Sequence, residues 1–232
     1  RLFLSMLCSY DHGIEATEPS VTKTLHYVFD PLCGWCYGAA AAVAALGKAP
    51  EVEVRLLPSG LFSGEGARPM DEAFAAYAWS NDQRIERLTG QPFSQRYRSE
   101  VLDKPQQMFD SGPATVALTA VHLTAPQREA EALKAIQHAR YVDGLDNTAI
   151  AVLLELLRGL GLDDAAARLA QPDAALLQAN SARVAQARQL MRELGAQGVP
   201  SFVLERDGQR QLLNASTAFS NPEAFVAQWL AA

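Results

Sequence analysis

The stretch FDPLCGWCYG, residues 29–38, decides how the fold of this chain is interpreted. Its first residue, Phe29, ends a run of β-branched and aromatic residues, 24–29, which is typical of a buried strand. An alanine-rich run, residues 39–46, follows it and favours a helix. Cys33 and Cys36 are therefore predicted to lie at a strand-to-helix junction, with Cys33 near the helix N-terminus.

That position has chemical consequences for the two thiols. A helix N-terminus presents unpaired N–H groups and roughly half a positive charge, which together stabilise a thiolate. The thiolate is the form that attacks disulfides. Because residues three apart lie on one helical turn, the two sulfurs come close enough to bond. We expect Cys33 to be an exposed nucleophile and Cys36 a more buried thiol that resolves a mixed disulfide.

The spacing of this pair admits two other uses, an inert or structural disulfide and half of a zinc site. A disulfide within one turn closes so small a loop that it constrains the unfolded chain little. Zinc almost always takes four ligands. The other cysteine and the histidines are Cys8, His12, His26, His122 and His138. None of these forms a second pair at ligand spacing, so redox chemistry is favoured and no metal is expected.

A second motif, GVPSF at residues 198–202, follows a long helical segment. Asp207 and Gly208 form a hairpin signal between its strand and a returning strand at 211–213. A last helix begins after Asn221. Pro200 is either an ordinary strand-leading proline or a cis-proline beside the thiols, where the backbone of a peptide could pair.

Taken together, the two motifs resemble those of the thioredoxin superfamily, and their wide separation resembles its DsbA-like branch. Residues 29–38 are similar to predicted disulfide isomerases of that branch. The likeness covers residues 20–232 and implies that Cys33 attacks, that Cys36 resolves, and that a cis Pro200 positions the substrate. The site residues that it implies are Cys33, Gly34, Trp35, Cys36, Tyr37, Val199 and Pro200.

The residues expected to support the site are Gly34, Trp35, Val199 and Pro200, and those expected to contact substrate are Val199, Pro200 and Tyr37. Two features depart from the family pattern. The uncharged Gly34 and Trp35 stand where the DsbA oxidant has Pro-His, so we expect a less oxidising pair. Tyr27 stands where thioredoxin-like enzymes carry a buried acid. Asp30 is the nearest acid, and it is either a turn residue or a proton carrier.

The expected fold is α/β, a thioredoxin fold (β-α-β, then β-β-α) interrupted by a large all-helical insertion. Residues 1–19 are predicted to be a poorly ordered extension, residues 20–64 and 196–232 the thioredoxin-like domain, and residues 65–195 the insertion. Only helices are expected from Pro69 to about Gly195. Their predicted bounds are 71–88, 111–123, a helix capped by Thr124 that reaches Tyr141, 147–157 and 173–194.

The insertion carries two sets of residues that could contact substrate. The aromatic and methionine set, which either lines a cleft or fills the core, is Trp79, Phe93, Tyr97, Met108 and Phe109. The arginine set, which either meets an acidic molecule such as glutathione or forms a solvated face, is Arg84, Arg87, Arg96 and Arg98. We favour the core and the solvated face.

Composition excludes several classes of protein. The chain has 20 Lys and Arg against 26 Asp and Glu, a net charge of −6, which argues against nucleic-acid binding. No apolar run is long enough to span a membrane. Three cysteines are too few to staple 232 residues as a secreted disulfide module.

The sequence thus predicts a thiol–disulfide oxidoreductase or isomerase that exchanges disulfides with protein or peptide partners through Cys33 and Cys36. The dithiol itself is the redox cofactor, with glutathione as a candidate co-substrate. One alternative is a glutathione-dependent isomerase or transferase that acts on a small organic molecule, and another is a non-enzymatic peptide-binding chaperone. The cytoplasm is favoured over the periplasm. The direction of exchange, the oligomeric state and the role of Cys8 stay open.

Overall fold

The computed structural model describes residues 23–49, 52–105 and 107–230, so the predicted extension at 1–19, with Cys8, lies outside the described residues. The strands are β1 (Lys23–Phe29), β2 (Val52–Pro58), β3 (Arg68–Pro69), β4 (Met108–Phe109), β5 (Ser201–Arg206) and β6 (Gln209–Leu212). The helices are α1 (Gly34–Gly38), α2 (Ala40–Leu46), α3 (Glu72–Thr89), α4 (Gln95–Tyr97), α5 (Gly112–Thr124), α6 (Glu129–Tyr141), α7 (Ile150–Gly159), α8 (Asp163–Ala170), α9 (Ala174–Leu194), α10 (Ser216–Ser220) and α11 (Pro222–Leu230).

A four-stranded sheet in the order β2-β1-β5-β6 forms the centre of the fold. β1 is parallel to β2 and antiparallel to β5, so Tyr27 lies opposite both Leu56 and Phe202. The antiparallel pairing also sets Val28 opposite Ser201. The loop that follows β1 therefore lies beside the segment that leads into β5. The predicted thioredoxin fold with a helical insertion is confirmed.

The last two strands form the hairpin that the sequence predicts. Asp207 and Gly208 both have positive φ, 51° and 75°, as a two-residue type I′ turn requires. β6 begins directly after this turn and ends at Leu212, so it starts two residues before the predicted returning strand. Asn221 caps α11, because its Oδ1 accepts the Ala224 N–H at 3.0 Å.

The insertion is not made of helices alone, which corrects the prediction. β3 pairs antiparallel with β4 over two residues each, a pairing too short to leave a periodic pattern in the sequence. α8 was not predicted. Thr124 does not cap a helix, because its hydroxyl donates to the Ala120 carbonyl at 2.9 Å inside α5. None of the helices in the part of the chain that the structure describes is both long and apolar enough to cross a membrane.

Arg183 on α9 joins the helical insertion to the sheet. Its Nη2 donates to the Leu56 carbonyl of β2 at 2.9 Å and forms an ion pair with Glu129 of α6. Its Nη1 donates to the Thr119 hydroxyl of α5 at 3.1 Å. Arg183 and Glu129 are both buried. Since a buried charge is tolerated only when it is paired and hydrogen-bonded, this cluster fixes how three helices dock on β2.

We expect Arg183→Met to lower the free energy of unfolding by about 3 kcal/mol, because it leaves Glu129 buried without its cation. Urea denaturation followed by circular dichroism measures the change. Arg192→Met, on the exposed face of the same helix, is the matched control and should be close to neutral. Equal effects of the two substitutions would contradict the role given to Arg183.

Candidate active site

The loop between β1 and α1 positions both cysteines. The Cys33 N–H donates to the Asp30 carbonyl at 3.1 Å and closes a turn after the strand. Cys33 is the N-cap of α1, with extended φ and ψ of −86° and 117°, and Cys36 lies in the first turn. The helix is interrupted at Ala39 and resumes as α2, so the predicted single helix is in fact two.

Both cysteines are free thiols, and they differ in exposure. Cys33 is 8% exposed and Cys36 is 1% exposed. Cys33 is thus the more accessible sulfur, as a nucleophile must be. It is nevertheless largely covered by its neighbours, which corrects the expectation of an exposed thiol.

The two sequence motifs meet at Cys33. Its thiol donates to the Val199 carbonyl, with 3.7 Å between Sγ and O. The Val199–Pro200 peptide bond is cis, and the Ser201 hydroxyl donates to the Gly198 carbonyl at 2.6 Å across it. The backbone at Val199 is consequently held beside the sulfur that would react.

Cys36 is held in its protonated state. Burial raises the pKa of the Cys36 thiol well above its ordinary value, and the hydrogen bond and charge of Cys33 raise it further. The Asp30 N–H, which donates to Cys36 Sγ at 3.5 Å, lowers it. One more accessible sulfur beside the Val199 carbonyl and a second, buried thiol form an arrangement suited to stepwise disulfide exchange.

A family profile described as a DSBA-like thioredoxin domain matches residues 24–225. The chain belongs to the DsbA-like thioredoxin family. The predicted family and fold are confirmed, and the family match supports thiol–disulfide oxidoreductase activity. A comparison with curated protein sequences found no match.

Solved structures give the same result. Cytosolic disulfide reductase DsbM from Pseudomonas aeruginosa is 38% identical, with a TM-score of 0.81 over 90% of this chain and 97% of that one. The same reductase with GSH is 34% identical, with a TM-score of 0.76 over 90% and 98% of the two chains. A proposed protein disulfide isomerase from Nitrosomonas europaea is 23% identical, with a TM-score of 0.74 over 90% and 98%, and shares the fold.

Within this DsbA-like site, Asp30 is a buried carboxylate that organises the loop. Its Oδ1 accepts the Leu32 N–H at 2.9 Å. Its Oδ2 accepts the Phe62 N–H at 3.2 Å and the Ser111 hydroxyl at 2.7 Å. Burial raises the pKa of Asp30, and these hydrogen bonds lower it. Asp30 therefore acts as a turn residue, one of the two roles that the sequence left open. Its carboxyl group is also close enough to Cys36 to raise the pKa of that thiol.

Tyr27 occupies the strand position beneath Cys36. Its hydroxyl donates to the Cys36 carbonyl at 3.0 Å, and its ring packs on Phe29 and Phe202 at centroid distances of 5.5 and 5.1 Å. Burial, followed by the charges of the two cysteines, raises the pKa of Tyr27 well above its ordinary value. Tyr27 therefore supports the helix start and stays neutral.

Trp35 and Tyr37 point in different directions. Trp35 is half-buried, makes an edge contact with Phe219 at 5.1 Å, and lies 5.8 Å below the Arg84 guanidinium. Tyr37 is 4% exposed and stacks on Tyr141 at 4.8 Å. Tyr37 is thus part of the core behind the site, which corrects the expectation that it contacts substrate.

The residues singled out in the insertion divide between core and surface. Met108 is 45% exposed, and the other four members of that set are buried. The buried four are Trp79, Phe93, Tyr97 and Phe109. The four arginines of the second set are exposed, with Arg84 above Trp35 and Arg98 5.3 Å from Trp79.

Sequence reasoning missed three residues of the insertion that touch the cysteine loop. The Tyr141 hydroxyl donates to the Leu32 carbonyl at 2.8 Å, and the Ser111 hydroxyl donates to Asp30. Asp82 lies against Gly34. No spacing rule could have found them, because each depends on how a distant helix docks. In the described residues, no group of three or more His, Cys, Asp or Glu could hold a metal ion.

We expect Ser111→Ala to destabilise the protein by about 1–3 kcal/mol, because it removes a buried hydrogen bond to Asp30. The loss of this donor raises the pKa of Asp30 in the folded state still further. A raised carboxyl pKa penalises the ionised folded form, so the destabilisation should grow as pH rises through that pKa and shrink as pH falls. Urea denaturation at about pH 5 and pH 8 measures it.

Ser99→Ala, on the surface of the insertion, is the control for Ser111→Ala and should show neither the loss nor its pH dependence. A Ser111→Ala effect that is larger at the lower pH would contradict the link to Asp30.

Gly34→Ala tests the close contact within the cysteine loop. A Cβ added at Gly34 would lie 2.3 Å from Asp82 Oδ1 and 3.2 Å from Ile85 Cδ1. We expect a loss of about 1–3 kcal/mol in the free energy of unfolding, the usual cost of overpacking. Gly159→Ala is the control, since a Cβ there meets nothing within 4 Å. It should be neutral or stabilising by up to about 1 kcal/mol. Equal effects would contradict the contact.

Proposed function

We propose that this chain is a glutathione-linked disulfide reductase that acts on protein or peptide disulfides. The observation that carries the proposal is the juxtaposition of Cys33 Sγ with the Val199 carbonyl, in front of the buried Cys36 thiol. A substrate strand that pairs with the backbone at Val199 would bring its disulfide to Cys33. The likeness to cytosolic disulfide reductase DsbM, and to its structure with GSH, favours this direction and a cytosolic reaction.

The proposed reaction needs no metal or nucleotide, because the dithiol is the redox group. The Cys33 thiolate attacks one sulfur of the substrate disulfide, forms a mixed disulfide and expels the other sulfur as a thiolate. Cys36 gives its proton to the thiolate expelled in the first step and attacks Cys33 Sγ, which releases the second substrate sulfur as a thiolate. Two glutathione molecules then reduce the Cys33–Cys36 disulfide and leave as glutathione disulfide.

The uncharged pair Gly34 and Trp35 supports a reducing function. No histidine lies between the cysteines to stabilise the thiolate, and thiolate stabilisation is what makes DsbA a strong oxidant. Burial and the neighbouring Cys33 raise the pKa of the Cys36 thiol and keep it protonated until a mixed disulfide forms. The pair is then expected to be closer in potential to thioredoxin than to DsbA.

Equilibration in glutathione buffers, followed by alkylation and intact mass, tests this function. We expect Cys33 and Cys36 to oxidise together, with a midpoint near the thioredoxin value of about −270 mV rather than the DsbA value of about −120 mV. Cys33→Ser should abolish reductase activity. Cys36→Ser should accumulate a mixed disulfide at Cys33. Cys8→Ser is the control and should retain activity.

Two outcomes would overturn the proposal. If wild-type Cys33 holds a single glutathione stably, or if activity on a small molecule survives Cys36→Ser, the glutathione-dependent isomerase takes its place. If no disulfide forms and the double variant Cys33→Ser, Cys36→Ser still suppresses aggregation of a peptide, the chain is a binding module.

A further inference from the structure

Asp82 brings a carboxyl group from the insertion to the centre of the cysteine motif. It lies on α3 and is 5% exposed. Its Oδ1 is so close to Gly34 that no side chain would fit between them. Its Oδ2 accepts the Tyr97 hydroxyl at 2.9 Å. The oxygen that faces Gly34 is therefore not the one that accepts the Tyr97 hydroxyl.

The surroundings of Asp82 are aromatic and carry one buried cation. Arg140 on α6 lies over the rings of Tyr97 and Phe109, with its guanidinium carbon 5.5 and 5.3 Å from their centroids. Its Nη1 donates to the Asn147 side chain at 3.3 Å. Its Nε and Nη2 have no hydrogen-bond partner in the described structure. Arg140 therefore attracts Asp82 without a direct ion pair.

Tyr141 links the same cluster to the other side of Cys33. Its ring lies 5.0 Å from Tyr97, and its hydroxyl bonds to the Leu32 carbonyl. Leu32 and Gly34 are the two neighbours of Cys33 in the chain. The insertion thus contacts the reactive cysteine loop on both sides, once through a neutral hydroxyl and once through a carboxyl group.

We propose that Asp82 is a positioning residue whose negative charge, set against Gly34, opposes the Cys33 thiolate and so shifts the Cys33–Cys36 pair toward its disulfide. The inference rests on the proposed function. The reaction that it biases is the reduction of that disulfide by two glutathione molecules, whose electrons break the S–S bond and which leave as glutathione disulfide; one proton passes to Cys36 and the other to solvent where Cys33 is left as a thiolate. A carboxylate near the product thiolate raises the free energy of the reduced form, and a neutral carboxyl group does not.

The charge of Asp82 changes near neutral pH. Burial raises its pKa to about 7, while the Tyr97 hydroxyl and the Arg140 charge lower it. Tyr141, whose pKa burial raises well above the ordinary value, is a further ionisable group that interacts with Asp82, and it interacts with Cys33 as well. On its own helix, Arg84 and Arg87 are exposed and screened by solvent. Below about pH 7 the carboxyl group is neutral and its effect on Cys33 disappears; above that pH the effect is present.

Asp82→Asn separates this electrostatic role from a structural one. The glutathione equilibrium constant for oxidation of the pair is measured for the wild type and the variant across pH. At about pH 8 we expect the constant to be about tenfold smaller in Asp82→Asn, because the opposing charge is gone and the thiolate is favoured. At about pH 5 the two proteins should agree, since a neutral acid and an amide are then alike in charge.

Two further variants complete the test. Glu72→Gln, at the exposed start of the same helix, is the charge-matched control and should behave as the wild type at each pH. Tyr97→Phe removes the hydroxyl that lowers the pKa of Asp82. In Tyr97→Phe, the pH above which the Asp82 charge increases the equilibrium constant for oxidation should be higher than in the wild type. This measurement tests the inference even if Asp82→Asn does not fold.

An equal difference between wild type and Asp82→Asn at both pH values indicates a structural effect and overturns the inference. So does the absence of a difference at the higher pH, or an unshifted profile in Tyr97→Phe. If wild-type Cys33 and Cys36 form no disulfide in any buffer, the proposed function has failed instead, and the two failures are thus distinguished.

Discussion

The antiparallel pairing of β1 with β5 is the constraint on which the site depends. β1 ends four residues before Cys33, and β5 begins directly after Pro200. Because the two strands run in opposite directions, their hydrogen bonds bring the end of one to the start of the other. The insertion leaves the sheet after β2 and returns before β5, and the pairing of β1 with β5 keeps Cys33 Sγ beside the Val199 carbonyl.

The insertion in turn completes the site. Ser111, Tyr141 and Asp82 come from three of its helical segments and reach the loop between β1 and α1. A sharp loop before a helix has carbonyl and carboxylate oxygens that lack a donor within the loop. Once they are buried, other parts of the chain must donate hydrogen bonds to them. Hydroxyl groups from the insertion satisfy two of these, at Leu32 and at Asp30. The docking of the helices therefore contributes to the shape of the loop that carries Cys33.

Local sequence rules predicted the parts of the fold that are decided locally. The strand and helix around Cys33 and the turn at Asp207 follow from propensities and turn chemistry that act over a few residues. The resemblance of the two motifs supplied the order of the elements. What local rules missed depends on long-range packing. The inward direction of Tyr37 and the approach of Asp82 to Gly34 are set by docking between helices, which leaves no periodic signal.

The two buried acids near the cysteines differ in how freely each can change its charge. Asp30 accepts hydrogen bonds on both oxygens from three donors, two of them backbone N–H groups that shape the loop. Protonation would weaken all three, so its structural role opposes a change of charge. Asp82 accepts one hydrogen bond, on the oxygen that points away from Gly34. Its charge can therefore change with less cost to the hydrogen bonds that shape the loop.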